Sequence, residues 1–381
     1  MNLLFLSGHA TPPLEWAPIS THIQESVSIP AELVNGAMLV DVRINGSGPF
    51  HLLVDTGCSA SVISPEVALA VEARASDDSG YISAVNSLGA AGLVEHVTLD
   101  SLELNGVRFE GISAGVTSLE LQSRVAGTRI DGLLGYSLFS ALFLAFDFPH
   151  QRLGLSAHWP QSLPPVRAAV DITEHNAVPF VTLRAQGRAF DLMFDTGANG
   201  GIEFSRDFAS ALTWKVAPRP GGLVAALGGT GRDWLGRLAG TVELDGVKQI
   251  DPVVAIGEGA SRIGTGFCRS LCVVFSRAQN KIWLCSASED PLPSPPKRSV
   301  GLSLLAESDG WRVAGTIPDS PAEKAELAPG DLIASIEHSP AQTWTRDDIQ
   351  QWIDGHAELS VGIKDAAGLR ELALPVWALV P

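Results

Sequence analysis

The chain has 381 residues, 45% of them apolar and 18% charged, with a formal net charge of −16. This length favours two or three domains, and the apolar content is enough for real cores, which excludes wholesale disorder. The acidic balance, without a cluster of Lys or Arg, excludes nucleic acid as a partner, because phosphate binding needs concentrated positive charge.

The chain opens M-N-L-L-F-L-S-G-H-A, a short apolar stretch ending in small residues at Gly8-His9-Ala10. It reads as the back end of a secretory signal peptide without its basic start. Residues 1–29 are therefore set apart as an N-terminal segment. Export is expected, into a periplasm or the medium, with a cytoplasmic protein as the alternative. No apolar run reaches the ~18 residues of a transmembrane helix, so no integral membrane segment is expected.

From Val40 to Phe50 apolar and polar residues alternate around Asn45-Gly46, which predicts a β-hairpin. It leads into Leu53-Val54-Asp55-Thr56-Gly57, an apolar strand ending in an acid, a hydroxyl residue and a glycine. Ser64-Pro65-Glu66 reads as a helix N-terminus. A Gly-containing turn follows at Ser87-Leu88-Gly89, and Asn105-Gly106 signals a hairpin. The unit closes with Asp131-Gly132-Leu133-Leu134-Gly135 and Phe146-Asp147-Phe148.

The same order then recurs. Val181 to Phe190 is the second hairpin, leading into Met193-Phe194-Asp195-Thr196-Gly197, with Asp195 lying 140 residues after Asp55. Ser205-Arg206-Asp207 is the second helix start, Gly228-Gly229 the second glycine turn, and Asp245-Gly246 the second hairpin signal. Ile263-Gly264-Thr265-Gly266 and Val274-Phe275 close the unit, and Gly264 to Phe275 spans eleven residues, as does Gly135 to Phe146. Such a repeat implies two halves that each give one carboxylate to a shared site. Two carboxylates in contact cannot both ionise, so they share a proton and can activate a water.

On these residues the chain resembles the aspartic peptidases of the pepsin and retropepsin type, over roughly residues 30 to 287. The short halves suit a bacterial tandem of retropepsin-like units. The resemblance implies a mainly β fold, with two homologous six-stranded acid-protease lobes at 30–157 and 168–287 forming a bilobal β-barrel peptidase. It implies Asp55 and Asp195 as the catalytic pair, and Thr56, Gly57, Thr196 and Gly197 as support for their loops. Ser87, Leu88, Gly89, Gly228 and Gly229 would form flaps over the substrate cleft. Peptide or protein substrates are implied. The nucleophile would be water, so no metal or organic cofactor is expected, and the nine His residues form no metal motif.

Two departures stand out. Many relatives carry Ser or Thr after Asp-Thr-Gly, where the hydroxyl bonds an outer carboxylate oxygen; this chain has Cys58 and Ala198. Losing those bonds should raise the pair's apparent pKa values. Neither flap tip carries Tyr. A catalytically weak peptide-binding envelope protein is the alternative these departures leave open, and a Cys58 nucleophile is a third reading. Cys58 occupies a structural slot of the repeat without a nearby His in sequence, which favours packing. Cys272 and Cys285 flank one hairpin and would face each other across it, either bridged or as two buried thiols.

Residues 288–298 are Pro-rich, which predicts an extended, semi-stiff connector. Beyond it, Ser320-Pro321-Ala322-Glu323-Lys324-Ala325 and Leu327-Ala328-Pro329-Gly330-Asp331-Leu332-Ile333 resemble the signature of bacterial PDZ domains, with Glu326 in place of a usual Gly. The resemblance covers 299–378 and implies a small, β-rich α+β domain that adds a peptide C-terminus to a sheet edge. Its groove would be framed by Val300, Gly301, Leu302 and Ser303 and by a helix over 346–354 carrying Ile349 and Ile353. Core packing is the equal alternative for those two isoleucines. The domain could tether substrate or cover the cleft, and the connector is long enough for either.

Overall fold

The computed structural model describes residues 3–6, 19–76, 81–86, 91–226, 229–365 and 368–381. Strand Ala37–Ile44 turns at Asn45 and Gly46, both at positive φ, into strand Ser47–Asp55. Such a turn matches the right-handed twist of the strands it joins. Its alternation buries Val40, Val42 and Ile44 and exposes Asp41 and Arg43. In the second half Val178–Ala185 and Arg188–Phe194 form the matching hairpin, in register from Phe180 opposite Met193 to Ala185 opposite Arg188. Each Asp loop then runs into a short strand and a helix. The Ser64 hydroxyl caps Pro65–Ala70 by accepting the Val67 N–H, and the Ser205 hydroxyl caps Arg206–Ser210 by accepting the Phe208 N–H.

A strand threads beside each Asp loop. Gly132–Gly135 lies parallel to Leu52–Asp55, and Arg262–Ile263 lies parallel to Met193–Phe194. At Gly135 a Cβ would stand 2.3 Å from the Ala60 carbonyl carbon, so only glycine fits. Toward the far edge of each sheet, Tyr81–Asn86 pairs with Ala91–Leu104, and Trp214–Ala226 pairs with Gly229–Leu238. Of the expected flap residues, Ser87, Leu88, Gly89 and Gly228 lie outside the described residues; Gly229 pairs with Ala226.

The closing hairpins leave their own halves and combine. Among the described residues one six-stranded sheet runs Val166–Asp171, Lys281–Cys285, Cys272–Ser276, Phe143–Asp147, Arg152–Ser156, Val27–Pro30. Its central pairing is between the halves, with Phe143 opposite Ser276 and Asp147 opposite Cys272. Phe275 meets Phe146 at 5.6 Å and Phe194 at 5.3 Å between ring centroids, both edge to face. Contacts of that geometry contribute about 0.5–1.5 kcal/mol each beyond area burial. They fix the sheet under Asp195, the residue after Phe194.

The N-terminal segment is not separate from this body. Leu3–Leu6 pairs with Tyr81–Asn86, Ser20–His22 with Val107–Val116, and Val27–Pro30 with Arg152–Ser156. No helix among the described residues is long and apolar enough to cross a membrane.

The last sheet holds Leu302–Glu307, Gly310–Thr316, Leu332–Ile336, Glu358–Asp365 and Gly368–Pro375, with Leu302–Glu307 at its edge. Helix Arg346–Gly355 starts in a capping box between Thr345 and Asp348. The Pro-rich connector is extended but fixed. The Leu292 N–H donates to the Lys248 carbonyl, and Gln249 Nε2 donates to the Pro293 carbonyl, both at 2.7 Å. Lys297–Ser299 pairs with Trp377–Val380. Proline removes N–H groups but keeps carbonyls, so side-chain donors can hold such a segment down.

Candidate active site

The two Asp-Thr-Gly loops meet head to head. The Thr56 N–H donates to Thr196 Oγ1 at 3.0 Å, and the Thr196 N–H donates to Thr56 Oγ1 at 3.0 Å. Each hydroxyl in turn donates across, Thr56 Oγ1 to the Phe194 carbonyl at 2.7 Å and Thr196 Oγ1 to the Val54 carbonyl at 2.8 Å. Four buried bonds thus tie each Asp-bearing strand to the opposite loop. Threonine serves because its hydroxyl accepts and donates at once. The threading strands add a matched pair: the Tyr136 N–H donates to the Cys58 carbonyl, and the Thr265 N–H to the Ala198 carbonyl, both at 2.8 Å.

Asp55 and Asp195 have no exposed surface. The Gly57 N–H reaches Asp55 Oδ1 at 2.9 Å, and the Gly197 and Ala198 N–H groups reach Asp195 Oδ1 at 3.0 and 3.1 Å. Asp55 leans against the other loop so closely that a Cβ on Gly197 would fall 2.4 Å from its carboxyl carbon. The Asp55 carboxyl is buried and lies within hydrogen-bonding reach of the Asp195 carboxyl. Burial, followed by the negative charge of Asp195, holds the Asp55 carboxyl well above the ordinary carboxylate range.

The second carboxylate has a neighbour that the motif search does not find. Arg262 Nη1 stands 3.6 Å from Asp195 Oδ2, and Arg262 Nη2 donates to Glu203 Oε1 at 3.0 Å. Arg262 is only 5% exposed. A signal was present: strand register aligns Arg262, opposite Met193, with Leu133, opposite Leu53. Leu133 packs in an apolar cluster with Leu39, Leu53 and Cys58.

A cleft of about 220 Å³ opens beside the loop from Gly197 to Gly201, with Gln122, Asp233, Arg262 and Arg346 in its walls. Burial, then the charge of Glu203, pushes the half-buried Asp233 carboxyl up to about 7. A carboxyl raised on folding stabilises the fold fully below its unfolded value, near 3.8, and that stability is lost as pH rises to about 7. Asp233→Asn is therefore expected to gain over wild type from pH 4 to 7, reaching roughly 1–2 kcal/mol after solvent screening. Thermal melts at acidic and mildly alkaline pH check this; an advantage of equal size at both rejects it.

Cys58 is fully buried, and its thiol donates to the Ala60 carbonyl at 3.0 Å. That is a packed thiol, not an accessible nucleophile. Cys272 lies opposite Cys285, and all four cysteines are buried thiols. Burial pushes the Cys272 thiol up to about 12 and the Cys285 thiol up to about 11.

The residues expected to frame the PDZ groove are divided. Val300, Ile349 and Ile353 belong to that domain's core with Trp311 and Ile333. An i,i+4 pair marks one helix face, and here that face is the core side. The Gly301 N–H is taken by Ser299 Oγ at 2.9 Å, Leu302 is half-buried, and the Ser303 hydroxyl accepts the Leu223 N–H at 2.8 Å. The edge strand Leu302–Glu307 packs against helix Glu120–Ala126 of the first half. Arg346 bridges the two, donating from Nε to the Val125 carbonyl at 2.7 Å and from Nη2 to the Leu304 carbonyl.

A family model for aspartyl proteases matches residues 40–138, and one for the PDZ domain matches residues 292–364. The chain thus carries an aspartyl-protease-type region and a PDZ domain. No curated protein matches it. Among solved structures, it is similar to the aspartic proteinase from Irpex lacteus, at 14% identity and a TM-score of 0.44, over 69% of this chain and 98% of that one.

Proposed function

We propose that the chain is an aspartic endopeptidase with one active site built from both halves, residues 30–157 and 168–287. The observation that carries this reading is the reciprocal bonding of the two Asp-Thr-Gly loops, which holds the Asp55 carboxyl against Gly197. One carboxylate takes a proton from water as its oxygen attacks the peptide carbonyl carbon, while the other donates its proton to the carbonyl oxygen. The tetrahedral diol collapses as a proton passes to the leaving nitrogen and the C–N bond breaks. The residues need no metal or organic cofactor for these steps. The PDZ domain at 299–378, joined through 288–298, would bind the C-termini of substrates or partners. The N-terminal pattern supports action outside the cytoplasm.

Cleavage of a peptide library across roughly pH 3 to 8 tests the reading. Cleavage should be blocked by pepstatin-type compounds and unaffected by thiol alkylators. A library left intact by wild type at every pH defeats it. One observation favours the second reading, a peptide-binding protein with little turnover: both carboxylates are wholly buried. In that case pepstatin-type compounds bind saturably and no product forms.

A further inference from the structure

In the second half two departures from the repeat fall on the same carboxylate. Ala198 lacks the hydroxyl that would serve Asp195 Oδ2, and Arg262 replaces the apolar twin Leu133. The guanidinium approaches that same oxygen, with Nη1 at 3.6 Å. In the first half the corresponding Leu133 stays apolar, packed with Leu39 and Leu53. The site is therefore electrostatically lopsided although its backbone is symmetric. A buried cation in an apolar slot is costly unless paired. Its partners here are the carboxylate of Glu203 and the carboxylate that does the chemistry.

The geometry points to Arg262 as a positioning residue that stands in for the missing hydroxyl, keeps the negative charge of the pair on Asp195 and leaves the shared proton on Asp55. Asp195 is then the base that takes the water proton, and Asp55 is the acid that protonates the carbonyl oxygen. This assignment rests on the peptidase reading above. The charged groups around the guanidinium are Asp195 at the end of its own strand, Glu203 on Ile202–Ser205 and Asp233 on Gly229–Leu238, with Asp55 from the first half across the pair. The elevation of the Asp55 carboxyl by burial and by its neighbour's charge agrees with a proton resting there.

A cation beside an anion favours its charged form, so Arg262 holds the acid limb of the pH profile down. Arg262→Met should move the acid limb of kcat/KM to higher pH by roughly half a unit to one unit, the lower part of the range for a close charge because Glu203 already offsets the guanidinium. Glu203→Gln should move it the other way, since less of the cation is neutralised. Ala198→Ser should recover much of the shift in the Arg262→Met background, yet do little in wild type, where Asp195 Oδ2 is already served. Such non-additivity marks two groups acting on one atom. A role in packing alone predicts lower activity without any displacement of the limb.

Titration of 13C-labelled Asp carboxyl carbons, assigned with Asp55→Asn and Asp195→Asn, reads the pair's protonation without turnover. If wild type cleaves nothing, the peptidase reading falls and the titration still decides the role of Arg262. If Arg262→Met does not fold, Glu203→Gln and Arg262→Lys carry the test, with Lys keeping the limb near its wild-type place. An acid limb and a carboxyl titration unmoved by both Arg262→Met and Glu203→Gln overturn the inference. So does an Ala198→Ser shift of equal size in both backgrounds.

Discussion

Asp55→Asn and Asp195→Asn are each expected to abolish peptide cleavage, by at least about a thousandfold in kcat, the scale of losing an acid or base that acts in the transition state. One site made from two halves leaves nothing for either variant to fall back on. Two independent sites would leave about half the activity in each variant, and that result would falsify the shared site. The fold should survive, because Asn keeps the shape and the Gly57, Gly197 and Ala198 N–H groups can still donate to a side-chain oxygen. Asp55→Asn should in fact be the more stable protein at neutral pH. The Asp55 carboxyl is raised on folding, so its contribution is full below the unfolded carboxylate value and is lost as pH climbs through the folded one. Asn carries no such dependence. Melting curves should show the variant's advantage growing with pH, alongside the lost turnover. An inactive variant that also melts earlier at neutral pH would mean that the substitution disturbed the loop.

The parts of this architecture that could be read from sequence are those set by local chemistry. Asn105-Gly106 and Asp245-Gly246 adopt positive φ at both residues, as tight hairpins require, and Ser64 and Ser205 cap the helices they precede. The opposition of Cys272 and Cys285 follows from hairpin register alone. What stayed hidden depends on distant partners. Helix Glu120–Ala126 begins at Leu119 without a side-chain cap, so only its end is marked, by Gly127 in the left-handed region. The pairing of Phe143–Asp147 with Cys272–Ser276 joins strands more than a hundred residues apart, and no periodicity encodes a partner. Ile349 and Ile353 illustrate the limit of helix patterns: spacing places them on one face but does not say whether core or ligand lies opposite. Arg262 was within reach, because aligning the threading strands sets it against Leu133. A motif made of what the halves share passes over the place where they differ.

Deleting residues 299–381 is expected to destabilise the aspartyl-protease-type body by several kcal/mol, not to release an independently stable unit. Ile317, Leu379 and Val380 bury against Val216, Leu235 and Val253 of the second half, a seam worth roughly 1.5–3 kcal/mol per large side chain removed. Arg237, almost wholly buried, donates to carbonyls of Asp251, Ser294, Pro295 and Pro381, and the deletion strips away the last of these. A cation left with fewer buried acceptors adds its own cost. Lower melting temperature and loss of soluble protein are the expected readouts; a truncated chain that melts like wild type would show the seam to be weak. The substitution that separates regulation from stability is Arg346→Ala. It cuts the bridge between Val125 and Leu304 but leaves the seam at 377–381 in place. With Leu302–Glu307 covered by Glu120–Ala126, a peptide adding to that edge must first displace the helix. The apparent affinity of the domain is then reduced by the fraction of molecules in which the edge is free. Of the two bonds lost, the one to Val125 ties this domain to the first half; at about 1.5 kcal/mol, its loss should raise affinity for free-carboxylate peptides by roughly tenfold or more. Because Arg346 also lines the cleft, the same peptides should alter cleavage by wild type more than cleavage by the variant. If affinity and cleavage respond alike in both proteins, the covered edge does not govern peptide binding, and the domain's contribution is the seam alone.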